Sequence, residues 1–572
     1  MKRSLFMLIG TIIIYHTVNA QNINLENIKG LGKATPVRLS GGINANAIIS
    51  AGNGPAVRAP FTYFFQGNVN VNLFGQINLP FGFNLTNNGR GFSYHTMPNR
   101  LSLHPTYKWI SAHLGDVSMT FSPYSLNGHQ FRGVGVDLKP NGSWKLSAMY
   151  GRLNKAVEEN YKLNEGSPGY KRMGLGLKLG FERSRYTVGL NIFHAKDLIN
   201  SISKDLDSLM IYPQENLVLG TEAKFCVMKG LELSTELATT AVTRDLRDSI
   251  QKIKNGNMLH WLSKARSSTS YYTAFNMQMK YTYKKSALGL GYERVAPGYQ
   301  TLGTYYMNSD IENFTVNASQ MILKDRANIS MNFGVQKDNL DHAKASSTKR
   351  LVTAVNLNYN PNDKLQTTLN YSNFQTYMKM KPQFDYYNQS LPFQDIDTLN
   401  YTQLAQNANV NVNWLTLKNE KQSQILNLNL SFQDASDQQG GLVTNGNGSQ
   451  FYNAVAAYNL IFIKQGTGVS LAYNMSYNTI GRNNFFTMGP VVSMNAKFFN
   501  KMLATGISTS LSFSNSAGTR QSRVLNTRLN ASYVVMKKHN LAFALMNQNR
   551  NLVSSGNTHD MTATLGYGYN FK

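Results

Sequence analysis

Apolar and polar residues alternate with a period of two along nearly the whole chain, and this alternation is what most limits the fold. It is cleanest at the end, where Met561, Ala563, Leu565, Tyr567, Tyr569 and Phe571 interleave with Thr562, Thr564, Gly566, Gly568, Asn570 and Lys572. Successive side chains of a strand point to opposite faces, so such a segment has one greasy face and one polar face. The pattern recurs at Met173, Leu175, Leu177, Leu179 and Phe181, at Ala327 to Val335, and at Leu503 to Phe513. None of these apolar faces carries a charge, although a cation at the midplane of a lipid-facing strand costs about 2 to 4 kcal/mol and its absence is therefore informative. Only 15% of the 572 residues are charged, where soluble domains carry about a quarter, and 11% are aromatic. In hydrocarbon every backbone N–H and C=O needs an internal partner, and an antiparallel sheet meets that demand only by closing on itself. The expected fold class is all-β, a closed transmembrane antiparallel barrel.

Export is written into the first twenty residues. Lys2 and Arg3 precede an apolar run from Leu5 to Val18 that ends at Val18-Asn19-Ala20, the pattern of a signal peptide cleaved before Gln21. No Cys follows that site, and the only cysteine, Cys226, leaves no internal disulfide framework or multi-cysteine metal site. Short polar turns are expected at Pro140 to Gly142, Glu182 to Arg185, Met228 to Gly230, Lys284 to Ser286, Lys324 to Arg326, Asn360 to Lys364, Lys418 to Gln422, Lys464 to Gly468, Phe499 to Lys501 and Met536 to His539. Two vaguer turns fall at Phe74 to Gln76 and Ile110 to Ala112. Twelve turns on one side predict about 26 strands (about 24 to 26) with both termini at the turn side. Long connections are expected over Asn154 to Tyr170, Lys196 to Asn216, Thr240 to Ser270, Phe374 to Asn407 and Asp434 to Gln450. Short periplasmic turns opposite long extracellular loops are the asymmetry of an outer-membrane barrel. The organisation is thus a signal peptide over 1–20, a periplasmic or lumenal segment over 21–42, and the barrel over 43–572. Leu246, Ile250 and Ile253 sit at helical spacing and predict a loop helix between Arg244 and Arg266.

The inward face should be Asn, Ser, Thr, Gln and Gly, with lumen charges at Lys178, Glu232, Glu236, Lys280, Lys497 and Arg528. Barrels of 16 to 18 strands already hold an aqueous channel, so a wider one needs a filler. The candidates are Gln21 to Ser40, the long loops, with Thr240 to Ser270 and Phe374 to Asn407 folding inward, or a partner chain. Arg183, Arg185, Lys229, Lys284, Lys285, Lys324, Arg326, Lys418, Lys421, Lys464, Lys501, Lys537 and Lys538 crowd the short turns, where cations end strands in water or contact anionic headgroups. Scattered around a rim in an exported chain, they do not suit nucleic acid. His95, His104, His113 and His129 lie in one stretch near Asp116, but no HExxH, HxH or CxxC spacing forces them to converge, and loop or lumen histidines are the plainer reading. No GxSxG elbow selects a nucleophile. Gly174-Leu175-Gly176 and Gly289-Leu290-Gly291 lie inside alternating strands and are not phosphate loops.

The ending Tyr567-Gly568-Tyr569-Asn570-Phe571-Lys572 resembles the C-terminal signal that the barrel-insertion machinery of Gram-negative bacteria recognises, departing from it in the Lys after the last aromatic. The segments Pro60 to Leu85 and Leu101 to Leu138, with Tyr107-Lys108-Trp109 and Phe121-Ser122-Pro123-Tyr124-Ser125-Leu126-Asn127-Gly128-His129, resemble large outer-membrane barrels of Bacteroidota. That resemblance implies a fold and no particular activity. Asp207-Ser208-Leu209, Asp248-Ser249-Ile250 and Asp397-Thr398-Leu399 are similar to the O-glycosylation signal of that group, which makes Ser208, Ser249 and Thr398 candidate acceptors in long loops.

Three functions compete: a loop-restricted channel for small hydrophilic solutes, a barrel subunit of an uptake or secretion complex with a surface lipoprotein or periplasmic partner, and a loop-based scaffold or adhesin. The channel is preferred. A self-contained energised receptor is disfavoured because strand-like sequence begins at Ile43 and leaves no room for a plug domain of about 100 residues. No enzymatic activity, no cofactor and no metal are expected. The expected partners are outer-membrane lipids and the insertion machinery.

Overall fold

In a computed structural model the described residues are 36–53, 59–87, 100–158, 168–251, 264–343, 349–373, 402–439, 442–443, 448–481, 483–553 and 556–571. The signal peptide, residues 21–35 and Thr398 lie outside them.

Each strand hydrogen-bonds its neighbour antiparallel, and the last one, Gly556–Phe571, returns to the first, Val37–Gly52, with Ile43 opposite Tyr569 and Ala47 opposite Leu565. The sheet is therefore closed. It holds 28 strand segments, of which Arg100–Leu103 and Thr106–Tyr107 share one place in the wall and Leu442–Val443 is a hairpin tip in a loop. The barrel thus has 26 staves. The first begins at Val37, inside the segment assigned to the periplasm or lumen.

Side-chain exposure follows the alternation. Leu175, Leu177 and Leu179 stand outward, while Gly176 is buried and Lys178 half-buried between them. On the last strand Met561, Leu565 and Tyr567 face out, and Thr562 is 5% exposed. At the turn end the outward belt finishes in aromatics, among them Tyr107, Trp109, Trp144, Tyr283, Trp414, Phe498 and Phe499, all largely exposed. Such a girdle marks the membrane–water interface, and the turn cations lie just beyond it.

The turns fall at the expected places, with one shift. The connection expected at Ile110 to Ala112 is formed by Lys108 and Trp109, because Ile110 already pairs with Tyr107. Many turns use left-handed non-glycine residues, including Phe74, Lys284, Lys324, Phe499 and Lys537, a conformation that matches the twist of two-residue hairpins. The other end is uneven. Long loops follow Asn154, Leu198 and Thr243, but from Ile480 to Asn483 and from Ser516 to Thr519 the chain turns back at once.

The expected helix between Arg244 and Arg266 is not formed in its described part. Residues 244–251 and 264–268 instead make turns and an antiparallel bridge between Ile250 and Arg266. Leu246 is buried and its N–H donates to Pro213 O at 2.8 Å, so packing beneath a neighbouring loop overrides the helical spacing. Ile253 lies outside the described residues.

Placing Arg at Leu177, on the outward face, should destabilise the lipid-embedded barrel by about 2 to 4 kcal/mol, whereas Arg at Thr564, on the inward face, should be tolerated. Denaturant unfolding in lipid vesicles reads both, and equal penalties would refute the assignment of faces.

Candidate functional site: a strut across the lumen

Two connections turn into the barrel. One is Phe121 to Leu126, between the strands Ile110–Thr120 and Asn127–Leu138. The other is Ala296 to Asp310, between Ser286–Val295 and Ile311–Ile322. Both hold large apolar and aromatic residues that a solvated loop would not favour. Phe121, Tyr124, Leu126, Tyr299 and Leu302 are nearly inaccessible, and they form one core with Val117, Met119, Phe131, Met149, Phe193, Val218 and Val295 from the inner wall. A hydrophobic core inside a polar-walled barrel is a local plug.

Hydrogen bonds fix the two loops to each other. Tyr299 donates its hydroxyl to Tyr124 O at 2.8 Å, Thr301 donates to Ser125 O at 2.7 Å, and Asn127 N donates to Gly303 O at 2.9 Å. A side chain at Gly303 would meet Ser125 O and the Phe193 ring at 2.5 and 2.7 Å, so only glycine lets the loops approach this closely.

Further bonds tie the pair to staves across the lumen. Lys178 reaches both Glu222 and Phe121 O at 2.7 Å. Ser122 donates to Glu236, and Tyr124 donates to Glu293 at 2.7 Å, whose other oxygen accepts from Asn313 at 3.0 Å. Asn216 Oδ1 accepts from Leu302 N at 3.0 Å, and Thr240 donates to Gln300 O at 2.9 Å. Burial first, then the Glu293 carboxylate, pushes the Tyr124 hydroxyl far above its ordinary value, and burial does the same to Tyr299. Both therefore remain protonated donors.

The six charges singled out in the sequence separate into groups. Lys178 and Glu236 are strut anchors. Glu232 pairs with Lys224 at 3.0 Å near the turn end, both exposed, and Lys280 lies opposite Glu232 in the sheet register. Lys497 and Arg528 lie on the other side of the wall, where Arg528 approaches Met546 Sδ at 3.9 Å. Glu222 and Glu293 complete the anchor set and were missed, because neither stands out along the sequence from other strand glutamates. The available signal was in the loops themselves: Tyr, Leu and Phe flanking Pro123 and Gly303.

The wall from Lys349 to the C-terminus, together with the first staves, is lined mostly by neutral amides and hydroxyls. Asn411 stands opposite Asn429 and Asn413 opposite Asn427. Asn413 donates to Asn411 at 2.8 Å, Gln548 to Asn526 at 2.7 Å and Asn72 to Asn78 at 2.6 Å. Such ladders hold groups that donate and accept without net charge.

The expected fillers are placed differently. Thr240 to Ser270 contributes buried Leu246 and Ala265 beneath the outer loops, but the loops that cross the lumen are the two above. Residues 374–401 lie outside the described part, and from Val37 the N-terminal segment is wall.

Of the histidines, His104 and His113 share a hydrogen bond at 2.9 Å and His113 meets Asp137 at 3.0 Å. His129 instead stacks on Tyr305, Asp116 pairs with Arg132, and His95 is outside the described residues. Among the described residues no group of His, Cys, Asp and Glu has the arrangement of a metal site. Ser208 and Ser249 are exposed in the loops. Between these loops Arg247 bridges Asp207 at 2.8 Å and Asp245 at 2.7 Å.

No protein-family model matches the chain, and no curated protein sequence does. Solved structures similar to it include the ferric yersiniabactin uptake receptor FyuA from Yersinia pestis, with a TM-score of 0.37 and 9% identity over 94% of this chain and 80% of that one. The FrpB iron transporter from Neisseria meningitidis gives a TM-score of 0.38 and 9% identity over 93% and 82%. Acinetobacter baumannii OccAB2 gives 0.27 and 10% over 68% and 98%. The architecture of this chain rests on its own strand register; it is a large, closed transmembrane β-barrel.

Tyr124→Phe removes a donor from the buried Glu293 carboxylate and should cost about 1 to 3 kcal/mol, seen as a lower unfolding midpoint. The loop staple should depend on acid. Hydrogen bonding from Arg247 holds the Asp245 carboxyl below its ordinary value of 3.8. Its stabilisation is therefore complete above that ordinary value and disappears as pH falls through the lower folded one. Hydrogen exchange of residues 244–248 should accelerate only in that acid range, and Arg247→Gln should abolish the dependence.

Proposed function

We propose that the protein is an outer-membrane conduit for small hydrophilic solutes, narrowed by the strut formed from 121–126 and 296–310. The observation that carries this reading is the contrast between the strut, anchored in the first half of the wall, and the amide-lined second half that faces it. A polar inner wall suits water and solutes, and a 26-stave lumen without an internal filler would be wider than the 16- to 18-strand barrels that already conduct. The strut leaves a passage bordered by Asn, Ser and Thr, which favours uncharged, hydrogen-bonding solutes over ions of either sign. The reading assigns the chain no chemical step.

A barrel subunit working with a surface lipoprotein or periplasmic partner is the second reading. It is favoured by the breadth of the amide-lined half. Outer-membrane placement is supported by the signal-peptide pattern, the aromatic girdle and the cationic turns, which suit contact with periplasmic-leaflet headgroups.

Single-channel conductance of the purified full chain in a planar bilayer tests the proposal. The wild type should conduct. Gly303→Val, which forces the two loops apart at Ser125 and Phe193, should give larger or noisier steps. Silence from both, and from a variant with both loops replaced by short linkers, would rule out a conduit acting alone.

A further inference from the structure

We infer that the loop end of the barrel carries a binding site for an acidic saccharide, centred on Arg244 and Arg172. Two adjoining cavities of about 510 and 390 Å³ open there, and both are lined by Arg172, Gln214, Arg244 and Gln300. Their shared wall sits on the strut, because Gln300 O accepts from Thr240 and Asn216. The site is therefore built on fixed backbone.

Charge decides the ligand's sign. Arg172 is neutralised by a forked pair with Asp197 at 2.7 and 2.9 Å, and Gln214 N donates to the same carboxylate at 2.9 Å. That pair is a rigid, fully used framework. Arg244 is exposed, and among the described residues its guanidinium has no hydrogen bond or ion pair. The nearby aspartates do not serve it: Asp205, Asp207 and Asp245 converge on Arg247, and none of them lines either cavity. The cavity wall thus offers one uncommitted planar cation, which matches a carboxylate or phosphate in a forked geometry.

The surroundings point to a hydroxyl-rich body on that anion. Tyr305 and Tyr306 line the larger cavity and are 46% and 38% exposed, although Tyr305 is held by His129 stacking on its ring at 4.4 Å. A preordered aromatic beside amides from Gln214 and Gln300 offers the apolar ring contact and paired donors and acceptors that a sugar ring uses. A free phosphate would engage Arg244 and have no use for the rings. A uronic-acid oligomer uses both. Capture there would hold an acidic glycan directly above the strut. The site is independent of whether the barrel conducts.

Titration calorimetry of the detergent-purified full chain with an oligogalacturonate, the neutral galactose oligomer of equal length and inorganic phosphate tests the assignment. The oligogalacturonate should bind, the neutral oligomer and phosphate each at least about tenfold more weakly, a difference of about 1.4 kcal/mol. Arg244→Gln should weaken the acid by about tenfold or more, and Tyr306→Ala should weaken the saccharide without changing phosphate. Heat-modifiable migration identical to wild type shows that each variant is folded. Equal binding of the neutral oligomer, or an unchanged Arg244→Gln, overturns the assignment. Phosphate binding as tightly as the uronate would reduce it to a simple anion site and overturn the saccharide. Absence of binding by all three probes also overturns it. Because the readout needs no bilayer, a silent protein that binds the acid separates this inference from the conduit reading.

Discussion

Backbone hydrogen bonding without water is the constraint on which everything else in this molecule depends. A strand edge left open in hydrocarbon strands a row of N–H and C=O groups, each worth several kcal/mol. The wall has no such edge because Gly556–Phe571 pairs with Val37–Gly52. Closure fixes the register of every neighbour, and register fixes which residues meet lipid. One residue of slippage would turn Leu175, Leu177 and Leu179 inward and Lys178 into the bilayer. The charge-free outer faces and the cationic turns are consequences of that geometry.

Closure at 26 staves creates the second problem, a lumen wide enough to need an obstruction. The obstruction comes from loops that carry core-type side chains into the barrel. A buried apolar cluster gives the strut its cohesion, and lumen charges give it its position. Lys178, Glu222, Glu236 and Glu293 are spent largely on holding Phe121, Ser122 and Tyr124. Charges that look, along the sequence, like a field for selecting ions are in part structural anchors. Selection by the opposite half of the wall then falls to neutral amides.

The loop end combines rigidity with an uncommitted cation. Asp197 fully occupies Arg172 and Arg247 gathers three aspartates, so Arg244 is left facing the cavities by subtraction. None of these pairings is visible along the chain, since Arg172 and Asp197 sit on neighbouring strands whose register alone makes them meet.

Strand identity, facing and turn position were legible because they are local. A period of two, broken by short polar clusters, defines a strand whatever surrounds it. That is why the turns at Met228 to Gly230 and at Lys284 to Ser286 could be read, and why Leu565 faces out and Thr564 faces in. The helical spacing of Leu246 and Ile250 misled because a short loop takes its conformation from what covers it. The sequence by itself determined a closed antiparallel barrel, its lipid face and its cationic rim. Only the tertiary structure decided which loops enter the lumen, which lumen charges are consumed in holding them and which arginine remains free, because those outcomes depend on contacts between residues far apart along the chain, brought together by ring closure.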